Sequence, residues 1–482
     1  MSNILYISSE AFPLIKTGGL GDVAGSLPSA LIHNDQDVRL FLPAYPEVIT
    51  KAKKTKVIAS CDYYHFSASI FETRLPGTKV KVWLLDCPSI FDRPGGPYSD
   101  HHGEPWHDNA LRFSVFCHAA VDIAMDKLSL NWKPDVVHCN DWQSGLVPAL
   151  LNSYKNRPAT IFTIHNLAYQ GVFKKQTFFD LELSPELWNM EALEFYDQLS
   201  FIKGGLAFAD KINAVSPTYA SEILQPEFGY GLDGLLSKRQ QDLSGILNGI
   251  DEKLWNPGTD QYLLHKYNRR SLDKKSLNKV DLQKELSLPV DSSVPMIGMV
   301  SRLVEQKGLE IIIQSFNELF SMPLQLVILG SGETHYEIEL TKWSQQHPEQ
   351  LKVIIGYDEA LAHKIEAASD IYLMPSTFEP CGLNQLYSLR YGTLPIATAV
   401  GGLSDTVIDA NEENIKNKIA NGFVLEKQSS IALLHAIEYA LKLYKKGPIW
   451  KQLQINAMSN NFSWQTSAEH YIDLYQQALN GL

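Results

Sequence analysis

Short apolar runs recur along this chain in two sets. The first comprises Ile4–Ile7, Val80–Leu85, Val136–His138, Ile161–Ile164 and Ile212–Val215; the second comprises Met296–Val300, Leu326–Leu329, Val353–Ile355, Ile371–Met374 and Leu394–Thr398. Each run is rich in aliphatic residues and leads through a turn into a longer amphipathic stretch, the pattern of strands buried on both faces in βαβ units. At 482 residues the chain exceeds what one core supports. The expected fold is therefore α/β, with two Rossmann-like doubly wound domains, ligand loops at the carboxyl ends of their strands, and an interdomain cleft for substrates. The seam is expected after residue 245, in the turn-dense stretch SGILNGIDEKLWNPGTD, dividing 1–245 from 246–463. The mixed-sign run Lys266–Lys284 reads as a solvated helical surface.

Charge narrows the function classes. With 42 basic and 54 acidic residues the formal charge is −12, the opposite of the basic footprint a nucleic-acid binder needs. Five scattered cysteines (Cys61, Cys87, Cys117, Cys139, Cys381) form no C-x-x-C pair, which argues against a disulfide framework or a zinc site and for a reducing compartment. The amino terminus lacks the basic and long apolar segments of a secretion signal, and no apolar run approaches the ~20 residues of a membrane span. A cytoplasmic location with no membrane partner is expected.

Five loops carry candidate chemistry. After the first run, Lys16 precedes a turn containing Gly18, Gly19 and Gly21 that opens onto a helix. Bare amides, a helix dipole and a lysine together suit a phosphate; the plain alternative is a turn that needs positive φ. The pattern is neither G-x-G-x-x-G nor a Walker A sequence, which weakens dinucleotide and NTPase readings. After Met296–Val300, Arg302 and Lys307 can clamp a diphosphate and stabilise its departure. After Ile371–Met374, Glu379 precedes Cys381, Gly382 and Leu383, which read as a helix start. That carboxylate can bind sugar hydroxyls, or merely complement a helix dipole; Cys381 reads as small-residue packing. Asp141 and His165 follow two neighbouring strands, where chemistry belongs in this architecture, although an N-cap and a core imidazole are equally available readings. The crowd of Asp100, His101, His102, Glu104, His107 and Asp108 lacks tight ligand spacing, so no metal site is expected. Asp35 and Asp37 imitate the D-x-D of metal-dependent sugar transferases, but sit in a polar turn.

Taken together, KTGGLGDV, NDWQSG, IHNLAYQG, LNGID, SRLVEQKGL, EPCGLNQLYSLRYGTLPI, GGLSDTV and NAMSNNFSWQTSA resemble, in order and over nearly the whole length, the bacterial glycogen synthases and plant starch synthases. These are retaining glucosyltransferases of the two-Rossmann GT-B fold. The resemblance implies transfer of glucose from ADP-glucose to the non-reducing end of an α-1,4-glucan, with no cofactor and no metal. It places Lys16 and the backbone of Gly18 and Gly19 toward the donor's phosphates, and Arg302 and Lys307 on the distal phosphate and the leaving diphosphate. Glu379 falls on the sugar hydroxyls, Cys381, Gly382 and Leu383 beside glucose and phosphate, and Asn248 on the donor sugar. Tyr357 is placed near the base, the main-chain carbonyl of His165 near the reacting sugar, and Asp141 among residues needed for turnover. It also implies that 464–482 crosses back onto the first domain. Three positions depart from wider patterns: Tyr387 stands where many two-Rossmann transferases have a ribose-binding Glu, Asn384 where bacterial relatives often have Thr, and His107 where Pro is frequent. The competing readings are UDP-glucose as donor, a catalytically silent glucan binder, and a nicotinamide oxidoreductase, for which Gly330-Ser331-Gly332 alone is weak support.

Overall fold

Each set of apolar runs becomes the middle of a parallel sheet. In the computed structural model, which describes residues 1–53, 55–425 and 427–481, the chain divides into two units: Met1–Gly249 together with the terminal segment from Trp464, and Ile250–Ser463. The units part at Gly249/Ile250, a few residues beyond the expected seam, so Asn248 lies in the first unit.

The first unit holds a nine-stranded sheet. From one edge its strands are Leu243–Gly245, Lys211–Ala214, Ala159–Ile164, Val136–Asn140, Asn3–Ile7, Asp37–Pro43, Lys81–Asp86, Phe66–Arg74 and Lys56–Tyr63. The last two pair antiparallel as a hairpin at the edge, and Phe66–Arg74 also runs antiparallel to Lys81–Asp86; the remaining neighbours run parallel. Asn3–Ile7 is central, and the winding reverses between it and Val136–Asn140. Loops leaving the carboxyl ends of strands diverge at such a reversal, which opens a crevice there. The terminal helix Trp464–Asn480 packs on this unit by a stripe of Trp464, Ala468, Tyr471, Tyr475 and Ala478. Its Tyr475 hydroxyl lies 2.7 Å from Nδ1 of the fully buried His138.

The second unit holds a six-stranded parallel sheet in the order Leu351–Ile355, Gln325–Gly330, Met296–Val300, Ile371–Met374, Leu394–Thr398 and Phe423–Leu425. Here the reversal falls between Met296–Val300 and Ile371–Met374, the strands that precede Arg302–Lys307 and Glu379. The helix Lys275–Glu285 contradicts the solvated reading of its charged run. It buries Lys275, Asn278, Lys279, Leu282 and Gln283, a helical stripe made almost wholly of polar residues. Lys279 Nζ reaches Asp370 Oδ2 at 2.6 Å and donates to the carbonyls of Ser292 and Val294. Lys275 Nζ donates to Thr393 Oγ1 at 2.7 Å and to the carbonyls of Glu366 and Ala367; burial lowers its pKa to about 7. Satisfied donors make these burials tolerable where charge alone would forbid them.

Candidate active site

In the second unit, Lys307 ends the 3-10 turn Glu305–Lys307, and Gly308 follows with φ 73°. A Cβ at Gly308 would lie 2.1 Å from the Pro375 carbonyl oxygen, so only glycine lets the cationic loop press against the strand that delivers Glu379. The result is a direct pair: Lys307 Nζ lies 2.5 Å from Glu379 Oε2, and Ser376 Oγ donates to the same oxygen at 3.1 Å. Thr377 N donates to the Gln306 carbonyl at 2.9 Å and Gln306 Nε2 to that of Phe378, also at 2.9 Å, stitching the two loops together. Arg302 is exposed at the start of the same loop. The helix begins at Asn384, not at Cys381; Gly382 turns the chain with φ 70°, and Cys381 is buried. Asn384 donates through Nδ2 to the Val300 carbonyl and, at 2.9 Å, to Tyr372 Oη, which bridges the Val300 amide and carbonyl. Tyr357 stands apart from this group, 66% exposed, beyond the edge strand Leu351–Ile355.

In the first unit, Asp141 and His165 meet at the winding reversal. Asp141 caps no helix with its side chain. Its Oδ1 instead accepts the backbone N–H of His165 at 2.7 Å and, at 3.4 Å, that of Asn166. Its own backbone sits at φ 53°, ψ −177°, a region costing about 1–3 kcal/mol for a residue with a side chain. Asn140 Nδ2 donates to the Ile7 carbonyl, so Asn140 Oδ1 is the acceptor facing His165 Nε2 at 2.9 Å, and the imidazole donates from Nε2. Burial lowers the His165 pKa to about 3 and raises that of Asp141 to about 7.

The glycine turn differs from its expected form. Gly18 has φ −152°, extended backbone, and no positive φ occurs at Gly18, Gly19 or Gly21. Close approach explains Gly21, where a Cβ would sit 3.1 Å from the Lys16 side chain. The buried carboxylate of Glu10 accepts the N–H groups of Thr17 and, at 3.2 Å, of Gly18, and its other oxygen accepts Tyr98 Oη at 2.6 Å. The Gly18 amide assigned to a donor phosphate is thus engaged within the chain, and Lys16 pairs with Asp22 at 2.8 Å. Asn248 is buried, and its Oδ1 has no hydrogen-bond partner among the described residues. Glu10, Asn140 and Ser376 lie at or just beyond strand ends, where a polar residue is the one signal the sequence carries, and Tyr372 lies within the strand Ile371–Met374, where a sequence gives none.

The Asp141 carboxyl titrates near 3.8 unfolded and near 7 folded. Between those values the folded chain holds the extra proton, so this group's contribution to stability falls as pH rises. Asp141→Asn removes that penalty while keeping an acceptor for His165 N–H. Calorimetry is expected to show a larger gain in Tm for the variant at pH 8 than at pH 5; an equal or reversed effect would contradict it.

Residues 3–238 match the family model described as the starch synthase catalytic domain, and residues 284–454 that of glycosyl transferases group 1. Glycogen synthase 1 of Methylococcus capsulatus is 53% identical over 479 residues, 99% of this chain and 97% of that one. The glycogen synthase of Cellvibrio japonicus is also 53% identical, over 98% and 99% of the two chains. The chain belongs to the glycogen and starch synthase family. Within that family, the catalytic domain of starch synthase IV from Arabidopsis thaliana, solved bound to ADP and acarbose, superposes with a TM-score of 0.91 at 32% identity, covering 99% of both chains. A sucrose-phosphate synthase from Thermosynechococcus elongatus shares the fold at a TM-score of 0.60 and 18% identity. The family's GT-B architecture and glycosyltransferase class are thereby those of this chain. The Tyr387 departure acquires a physical account: its buried ring stacks 3.8 Å from Trp255, which stacks at 3.8 Å on His363. An aromatic pile, not a carboxylate, occupies the position. No helix is long and apolar enough to cross a membrane among the described residues.

Proposed function

We propose that this family member transfers glucose from ADP-glucose to the non-reducing 4-hydroxyl of an α-1,4-glucan with retention of configuration. The observation that carries the proposal is the Lys307–Glu379 pair held at the winding reversal of the second unit, with Arg302 on the same loop. A departing nucleoside diphosphate gains negative charge, and preorganised cations at that position stabilise it without solvent reorganisation. Lys307 and Arg302 supply those charges, and the amides opening the helix Asn384–Tyr391 add to them. Glu379, its Oε2 fixed by Lys307 and Ser376, accepts hydrogen bonds from the sugar's hydroxyls. Cys381, Gly382 and Leu383 line glucose and phosphate, and Tyr357 lies toward the base.

In the first unit, Asp141 orients the His165 peptide by accepting its N–H, which aims the His165 carbonyl at the reacting sugar. Its neutral imidazole adds no like charge to the oxocarbenium-like centre. Asn248 Oδ1, buried and without a partner among the described residues, accepts from a donor-sugar hydroxyl. Lys16 and the Gly19 end of the glycine turn approach the phosphates, Gly18 shaping the loop through Glu10. Attack from the front face, assisted by the departing phosphate, retains the α configuration. The ADP in the solved starch synthase supports ADP-glucose over UDP-glucose.

Incorporation of labelled glucose into glycogen from the two donors in parallel tests this reading, with Glu379→Ala as control. Strong transfer from ADP-glucose, lost in the variant, is expected. Preference for UDP-glucose would overturn the donor, and no transfer from either by folded protein would favour a silent glucan binder.

A further inference from the structure

Two exposed tyrosines of the first unit hold backbone conformations that L side chains rarely adopt. Tyr196 is 75% exposed at φ 49°, and Tyr230 is 41% exposed at φ 50°. Tyr196 and Asp197, at φ 59°, form the two-residue connection between the strands Glu194–Phe195 and Gln198–Ser200. Positive φ at both positions is the hairpin turn that Asn-Gly adopts cheaply and a bulky ring does not. Tyr230 ends the short helix Pro226–Gly229 in the left-handed region. Strain at an exposed side chain points to a use for that side chain outside the fold.

The two strained segments lie together. A Cβ on Gly231, next to Tyr230, would sit 3.2 Å from Tyr196 Cε2 and 3.1 Å from Phe195 Cζ. Tyr169, 52% exposed, joins them through its neighbour Gln170, whose Nε2 donates to the Tyr230 carbonyl at 3.1 Å. Tyr169 lies on the loop that begins at His165. Lys175 pairs with Asp197 at 2.7 Å and Lys238 with Glu191 at 2.6 Å nearby. The surface therefore presents aromatic side chains beside ion-paired lysines, which suits a neutral polymer having alternating C–H faces and hydroxyl edges.

We propose that Tyr196, Tyr230 and Tyr169 form a platform on which an α-1,4-glucan stacks. The choice of glucan rests on the glucosyl-transfer reading above; the strain and clustering do not.

The test uses the full chain and maltoheptaose as probe, with affinity read by calorimetry and stability by thermal unfolding. Tyr196→Gly relieves the turn and Tyr230→Asn tolerates the left-handed region, so both variants are expected to fold, the first with a Tm at or above the parent's. Combined, they are expected to weaken maltoheptaose binding about tenfold, or about 1.4 kcal/mol, and to raise KM for glycogen while KM for the nucleotide sugar stays the same. Unchanged maltoheptaose affinity in the double variant overturns the platform. Loss of self-association on sedimentation with sugar affinity intact assigns the rings to a second copy and also overturns it. Loss of maltoheptaose binding in the variants, in a protein that transfers no glucose, upholds the platform and sinks the transfer reading alone.

Discussion

Lys307→Ala is expected to lower kcat by about 10²–10³-fold, the usual cost of removing one preorganised charge from a developing anion. The sequence places the lysine after a buried strand; the fold locks it there. Gly308 brings the loop against Pro375, and the hydrogen bonds of Gln306 and Thr377 keep it from drifting. The ammonium lies 2.5 Å from Glu379 Oε2, so the substitution also strips the buried carboxylate of its cation. If the charge acts chiefly on the leaving group, kcat and kcat/KM fall together. Steady-state kinetics with circular dichroism as a folding control checks this; near-normal turnover in a folded variant would refute the role.

Lys279→Ala is expected to destabilise the second unit by about 3–5 kcal/mol, because it leaves one member of a buried ion pair without the other. Asp370 is more than a counter-ion: its Oδ2 accepts the Met296 N–H at 2.8 Å, where the strand leading to Arg302 begins. Burial pushes the Lys279 pKa down, but Asp370 and Tyr444 more than offset it, holding it above 10.5. On the alkaline side the pair's contribution is therefore retained up to about 10.5 and is lost as pH rises through the raised value. Urea unfolding should show the midpoint drop at neutral pH, with part of it recovered in Lys279→Met/Asp370→Asn, which removes both charges. A loss below about 1 kcal/mol would mean that the pair is solvated after all.

Much of this architecture is legible in the residues. Runs such as Met296–Val300 and Ile371–Met374 are apolar on every position because both sheet faces are covered, and that continuity survives in sequence. The hairpin Lys56–Tyr63 and Phe66–Arg74 escaped because it lies at an exposed edge, where polar residues interrupt the apolar pattern. Lys275 and Lys279 mislead for a related reason: a charged residue announces solvent unless its partners are known, and Thr393 and Asp370 lie about 90 or more positions away along the chain.

The candidate site divides in the same way. Arg302, Lys307 and Glu379 stand out because two loops of chemically suited residues follow strands expected at a sheet centre. Glu10 did not, since a carboxylate that occupies the glycine loop's own amides is visible only once the loop is folded. Asn140 and Tyr372 act through hydrogen bonds to groups on other strands, and a single residue letter carries no trace of such a bond.

The central claim is α-retaining glucosyl transfer to glucan, and proton NMR of the product formed from ADP-glucose and maltoheptaose tests it most directly. The account predicts a growing α-1,4 anomeric signal from the first turnover, with ADP released in equal amount. A β anomeric signal, or free glucose without chain extension, would contradict it.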